Sequence, residues 1–300
     1  MEKFPTYDEL KDVIQAAQRE DLGTAGDVTS RLTVAEDRIG VGMLVQRGVG
    51  IACGLPIVAM ICGAYDERLR VEQIPGFHME IIEGRFSDAR STPLLRIRGP
   101  LRSLLSAERV ILNFLQHVSG VATLTHRFVR RVEGTAARIF DTRKTLPGLR
   151  ALEKYAVRCG GGHNHRFGLF DAVLVKDNHL ANISPKDFAA FAAGVVAKSR
   201  GEDPRRVIEV EVDTLDQLRE VLKVDGIDLI LLDNMDCPGM VAAVEMRDRA
   251  GRKSSVELEA SGGVSLETVR AIALTGVDRI AVGALTHSAP ALDIGFDIDA

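Results

Sequence analysis

Between Arg143 and Lys176 the chain carries seven lysines or arginines against two acids, with His163 and His165 in the same stretch. The formal net charge is −4, so nothing draws the protein generally to nucleic acid or anionic membrane, and any anion site has to be local. Arginine offers a planar fork matched to carboxylate or phosphate, and lysine a compact point charge. Several together suit a substrate with more than one anionic group. Arg143, Lys144, Arg166 and Lys176 are the better candidates, because they fall at strand ends or beside Gly160-Gly161-Gly162, a loop that lets backbone approach a ligand. Arg150, Lys154 and Arg158 read equally well as the solvated face of a helix over 149–157, with Leu149, Leu152 and Ala156 inward.

Acids and glycines complete the set. Glu209 and Glu211 lie two apart on a β-branched run and so share a face. With Asp233 they form carboxylates suited to a hard cation such as magnesium, or to ribose hydroxyls. Internal ion pairing is the plainer reading for Glu209, and Glu211 and Asp233, nearer the strand ends, are the better ligands. Ser261-Gly262-Gly263 follows one strand and Gly283 another. Backbone amides of both loops, with the following helix N-terminus, would bind a terminal phosphate unless the glycines serve only as turns. A zinc centre of His163, His165 and His179 is a competing reading, but its spacing matches no metal motif.

These residues need a scaffold that brings strand ends together. Runs at 138–141, 172–176, 207–212, 228–233, 256–260 and 279–282 read as strands, with helical stretches such as 215–222 and 266–274 between them. That alternation predicts right-handed βαβ units and a parallel sheet. Six strands fall short of a complete eight-stranded barrel, so an open, incomplete α/β barrel follows. The first hundred residues differ: a helix over 6–20, a polar loop over 20–30, and strands at 39–46, 69–73 and 94–98. A long helical region then begins near Ser106, a plausible N-cap, with Val110, Ile111, Phe114, Leu115 and Val118 on one face. The expected organisation is an α+β domain over 1–112, a catalytic barrel over 113–287, and a tail, 288–300, that packs on the first domain.

Three hundred residues, 46% of them hydrophobic and 27% charged, suit a soluble globular enzyme. Cys53, Cys62, Cys159 and Cys237 are scattered without zinc or redox spacing and read as reduced intracellular thiols. No secretory leader or membrane-length apolar run is expected.

The motifs Asp141-Thr142-Arg143-Lys144-Thr145, Glu153-Lys154-Tyr155-Ala156-Val157, His163-Asn164-His165-Arg166 and Lys176-Asp177-Asn178-His179 resemble the quinolinate phosphoribosyltransferase family. So do Gly26-Asp27-Val28-Thr29-Ser30, Ser106-Ala107-Glu108-Arg109, Leu232-Asp233-Asn234 and Glu259-Ala260-Ser261-Gly262-Gly263, and the likeness covers nearly the whole chain. It implies an N-terminal α/β sandwich with an open-faced barrel. It also implies a decarboxylating transfer of phosphoribosyl from phosphoribosyl pyrophosphate to quinolinate, a step of NAD biosynthesis. On this resemblance Arg143, His165, Arg166 and Lys176 contact quinolinate, with Lys144 near both substrates. Glu211 and Asp233 hold the ribose and Mg2+, and Ser261, Gly262, Gly263 and Gly283 hold the 5′-phosphate. Lys144, Lys176, Glu211 and Asp233 are the expected catalytic groups. Arg109 reaches the site of a neighbouring subunit in a cytoplasmic homodimer or higher homo-oligomer. A molybdenum-transport-associated relative of the same fold and a non-catalytic phosphosugar-binding protein are the alternatives.

Overall fold

The computed structural model describes residues 3–75, 78–89, 91–180 and 183–299. In chain order its strands are β1 Ile39–Gln46, β2 Gly50–Ile51, β3 Arg70–Glu72, β4 Phe86–Ser87, β5 Thr92–Pro100, β6 Arg138–Phe140, β7 Ala172–Val175, β8 Val207–Val212, β9 Leu229–Asp233, β10 Glu257–Ser261, β11 Arg279–Ala281 and β12 Ile294–Asp299. Two compact units form. One comprises Met1–His126, Thr145–Gly161 and Leu285–Ala300; the other comprises Arg127–Lys144 and Gly162–Ala284. The boundary falls after His126, within the helix Leu101–Val132, and not after residue 112. The first unit also recruits the helix Arg150–Cys159, whose Leu152, Tyr155, Ala156 and Val157 are buried.

The first unit is built on an antiparallel sheet of order β12-β1-β5-β3, with β2 and β4 as a separate ribbon. Its opening helix, Tyr7–Leu22, starts at Thr6, whose backbone N and Oγ1 each donate to the Glu9 carboxylate at 2.8 Å. Leu10 and Ile14 make its buried stripe. The segment 20–30 is less of a loop than expected. A second helix, Val28–Thr33, follows, because Asp27 caps it by accepting from Ser30 N at 2.9 Å. Ser106 is no N-cap either. The long helix already begins at Leu101, directly after Pro100 ends β5, and Ser106 Oγ donates to Asp27 Oδ2 instead.

The second unit carries a six-stranded parallel sheet of order β6-β11-β10-β9-β8-β7. The order is linear, so the sheet stays open between β6 and β7. In β8, Val-Ile-Glu-Val-Glu-Val, every residue after the first is buried, as expected of a parallel strand covered on both faces. The helix Leu215–Val221 starts at Thr214, which accepts from Gln217 N. All six strands run the same way, so their carboxyl ends lie along one edge. No helix of the described residues is long and apolar enough to cross a membrane, and all four cysteines are free.

Candidate active site

Nearly every expected site residue falls on that carboxyl edge. Arg143 and Lys144 follow β6, Lys176 follows β7, and Glu211 lies near the end of β8. Asp233 ends β9, Ser261 ends β10 ahead of Gly262 and Gly263, and Gly283 follows β11. His165 and Arg166 join them through an extra bridge: His163 N donates to Ile139 O at 2.8 Å and Asp141 N to His163 O at 3.0 Å. This runs residues 163–166 alongside β6. Asp141, fully buried, pins the segment further, because His165 N donates to its Oδ1 at 2.8 Å and Asn164 Nδ2 to its Oδ2 at 2.6 Å.

The basic half of the site is a clamp of two guanidinium groups. Arg166 is held below the ordinary arginine range, first by burial and then by the positive charge of Arg143, against the pull of Glu209 and Asp171. Arg166 Nη1 donates to Ala172 O at 3.2 Å, and Arg143 Nε is buried without a hydrogen-bond partner. Two cations that press on each other are a candidate receptor for an anion. Lys144 is exposed beyond them, its backbone N donating to Thr142 Oγ1.

The acidic half is centred on Glu211 and Asp233. Lys176 Nζ lies 2.8 Å from Glu211 Oε2, with the lysine half exposed and the glutamate buried. Burial pushes the Asp233 carboxyl up from its ordinary range, and the negative charges of Glu211 and Asp213 push it further. Glu211 and Asp233 thus carry surplus negative charge that a cation would offset. Glu209, on the same face of β8, lies deeper and pairs elsewhere.

The glycine loop is shaped by Asn234, the only non-glycine of the described residues with positive φ, at 50°. Asn234 N donates to Ser261 O at 3.0 Å and its Nδ2 to Asp233 Oδ2 at 2.7 Å. Gly262 has φ +96, and a Cβ there would overlap Asn234 Oδ1 and lie 2.7 Å from its Cγ. Gly263, at φ +58, faces open space. The expected helix N-terminus does not follow this loop directly. A turn held by Ser265 and Thr268 intervenes, and the helix spans only Val269–Ala273.

Other expectations change. Lys154 is 2% exposed, so the helix Arg150–Cys159 does not present it to solvent. Gly160 is a packing glycine, since a Cβ would overlap Ala122 O and lie 2.6 Å from Thr125 Cβ. Arg109 is exposed on the long helix, in the first unit. His163, His165 and His179 form no metal triad. His163 stacks on Phe140 and His179 Nδ1 accepts from Lys176 N. His165 is not presented as an open carboxylate contact. Its side chain is 9% exposed, with Nε2 at 2.9 Å from Glu209 Oε2 and 3.3 Å from Glu259 Oε1. Burial opposes charge on this ring and the hydrogen bonds to Glu209 and Glu259 favour it, while the Arg166 N–H aimed at Nδ1 leaves that nitrogen an acceptor, with the proton on Nε2.

Among the described residues a second cluster joins Cys53, Glu83 and Cys159 in the first unit. Its carboxylate is already occupied: Glu83 accepts from Gly54 N at 2.6 Å, Leu55 N at 2.9 Å and Tyr155 Oη at 2.9 Å. Sequence reading missed Asp141 as an anchor and the buried ions Glu259 and Arg279. The first showed itself only as an acid ending a strand; the others were ions at alternate positions of apolar strands.

Comparison with known proteins shows the family. The family models for the N-terminal and C-terminal domains of quinolinate phosphoribosyl transferase match residues 27–119 and 121–297. A nicotinate-nucleotide pyrophosphorylase [carboxylating] of Mycobacterium leprae is 43% identical over 97% of this chain and 98% of its own length. A mitochondrial quinolinate phosphoribosyltransferase [decarboxylating] of Nicotiana glauca is 39% identical over 98% of this chain and 83% of its own. Among solved structures, the nicotinate-nucleotide pyrophosphorylase of Francisella tularensis superposes with a TM-score of 0.84 at 35% identity, covering 99% of this chain and 98% of that one.

Proposed function

Because the chain belongs to the quinolinate phosphoribosyltransferase family, we propose that it transfers phosphoribosyl from phosphoribosyl pyrophosphate to quinolinate. The products are nicotinate mononucleotide, pyrophosphate and carbon dioxide. The observation that carries this reading is the gathering of Arg143, Lys144, Arg166 and Lys176 at the carboxyl edge of one sheet, where a dicarboxylate offsets their charge. Lys144 and Lys176 flank the clamp, and Arg109 reaches the corresponding site of a second subunit in a homodimer.

The chemistry follows from charge. Arg143 and Arg166 orient quinolinate so that its ring nitrogen faces the anomeric carbon of the ribose. As the bond to pyrophosphate breaks, positive charge develops on the ribose, and the carboxylates of Glu211 and Asp233 stabilise it. The nitrogen's lone pair forms the new glycosidic bond. The ring, now cationic, accepts the electron pair of the adjacent carbon–carboxylate bond, carbon dioxide leaves, and the carbon takes up a proton. Glu211 and Asp233 would also hold Mg2+, which supplies neutralisation of the departing pyrophosphate. The surplus acidity around Asp233 fits such a cation. The glycine loop, Ser261, Gly262 and Gly263, with Gly283, binds the 5′-phosphate through backbone amides. A cytoplasmic location suits the reading.

The test is the two-substrate assay with magnesium. Release of carbon dioxide and pyrophosphate in equal amounts supports the proposal. Phosphosugar binding without turnover would favour a sensor, and failure of quinolinate to bind would favour a relative of the same fold with another substrate.

A further inference from the structure

Beneath the clamp, the buried ions of the second unit form a connected group that the reaction above does not use. Glu259 on β10 and Arg279 on β11 are direct cross-strand neighbours, and Arg279 Nε lies 2.6 Å from Glu259 Oε2. The Arg279 guanidinium also lies 3.7 Å above the Phe140 ring, which stacks with His163. From β8, Glu209 projects into the same interior. The His165 ring lies between the two carboxylates. Glu209 is 1% exposed and Glu259 0%, so both carboxylates lie in the interior.

One imidazole and two carboxylates at this spacing could be taken for metal ligands. Arg279 argues against it, since a guanidinium 2.6 Å from Glu259 already supplies the counter-charge. What the group does is visible at the other edge of the ring. Nδ1 of His165 accepts from the backbone N of Arg166 at 2.7 Å. That bond keeps the ring's proton on Nε2, directed at Glu209. The ring therefore links two buried carboxylates to the backbone of a clamp arginine. His165 N is separately fixed on Asp141, so the ring cannot turn without breaking one end or the other.

We infer that Glu209 and Glu259 are positioning residues of the anion clamp: they seat the His165 ring, and the ring holds the Arg166 backbone so that its guanidinium meets Arg143 at the correct angle. The inference rests on the reading of Arg143 and Arg166 as the dicarboxylate clamp. It makes His165 a brace for the clamp, with Glu209 as its main anchor and Glu259, balanced by Arg279, as the second.

The test uses Glu209→Leu, which removes the acceptor at similar volume, and Glu209→Gln, which keeps an oxygen for Nε2–H. Expected for Glu209→Leu is a quinolinate KM raised about tenfold or more, on the scale of one lost charge-assisted contact. The KM for phosphoribosyl pyrophosphate should stay within about twofold. Glu209→Gln should restore most of the loss. Equal rises in both KM values, or no rise in either, overturn the inference. The Arg166 amide cross-peak in a 1H–15N spectrum gives a readout without substrate: it should move in Glu209→Leu and stay in Glu209→Gln. If Glu209→Leu does not fold, Glu209→Ala takes its place. The wild-type imidazole decides in any case, because a His165 ring with a proton on Nδ1, neutral or charged, would refute the seat. A protein that turns over no quinolinate sinks the proposed function, whereas the two spectroscopic readouts judge the brace independently.

Discussion

Replacing Gly262 by alanine tests the phosphate loop where its geometry is tightest. At φ +96 an alanine is strained by about 1–2 kcal/mol. Its Cβ would overlap Asn234 Oδ1 and stand 3.0 Å from Asn234 N, so Asn234 has to move. Moving it forfeits the bonds to Ser261 O and Asp233 Oδ2, each about 1 kcal/mol. The loop is then held out of its binding form by about 3 kcal/mol, which corresponds to roughly 100-fold weaker binding of the phosphoribosyl donor. The assay is donor KM from pyrophosphate release at saturating quinolinate, on protein shown to be folded by circular dichroism. Gly263→Ala is the control: its Cβ meets nothing within 4 Å, so backbone strain alone acts and the loss should be about 30-fold at most. A folded Gly262→Ala protein with donor KM within twofold of wild type would refute the reasoning. So would a larger loss in Gly263→Ala.

Arg143→Ala and Arg166→Ala should each lower kcat/KM for quinolinate about 100-fold, read from initial rates. Glu83→Ala leaves the Gly54 and Leu55 amides and the Tyr155 hydroxyl without their acceptor, and should cost about 3 kcal/mol or more in urea denaturation.

The parallel sheet was legible because each strand is a short β-branched run ending in a polar residue or glycine, and β1 and β8 match the expected bounds. Helix ends were less so. Leu101–Val132 starts five residues before Ser106, since tertiary packing of Leu101 and Leu104 outweighs an available capping side chain. Lys154 shows why charge is a poor guide to exposure: a helix carried inward takes its lysine with it. The site was legible as residue types at strand ends, but its division was not. Periodicity puts Glu209 and Glu211 on one face, and only packing sends the first to His165 and the second to Lys176.

Strand β12 pairs with β1 along six residues, Gln46 meeting Ile294 and Val41 meeting Asp299. The unit it completes is assembled from three stretches of chain, the last beginning at Leu285. On the ribosome, β1 would emerge with one flank unpaired and wait through some 240 residues of synthesis, many seconds at about 5–20 residues per second. A bare strand of Val, Met and Leu is a template for the wrong neighbour. The fold therefore makes the nascent chain depend on shelter during that interval, and loss of the last dozen residues would harm folding yield long before it touched chemistry.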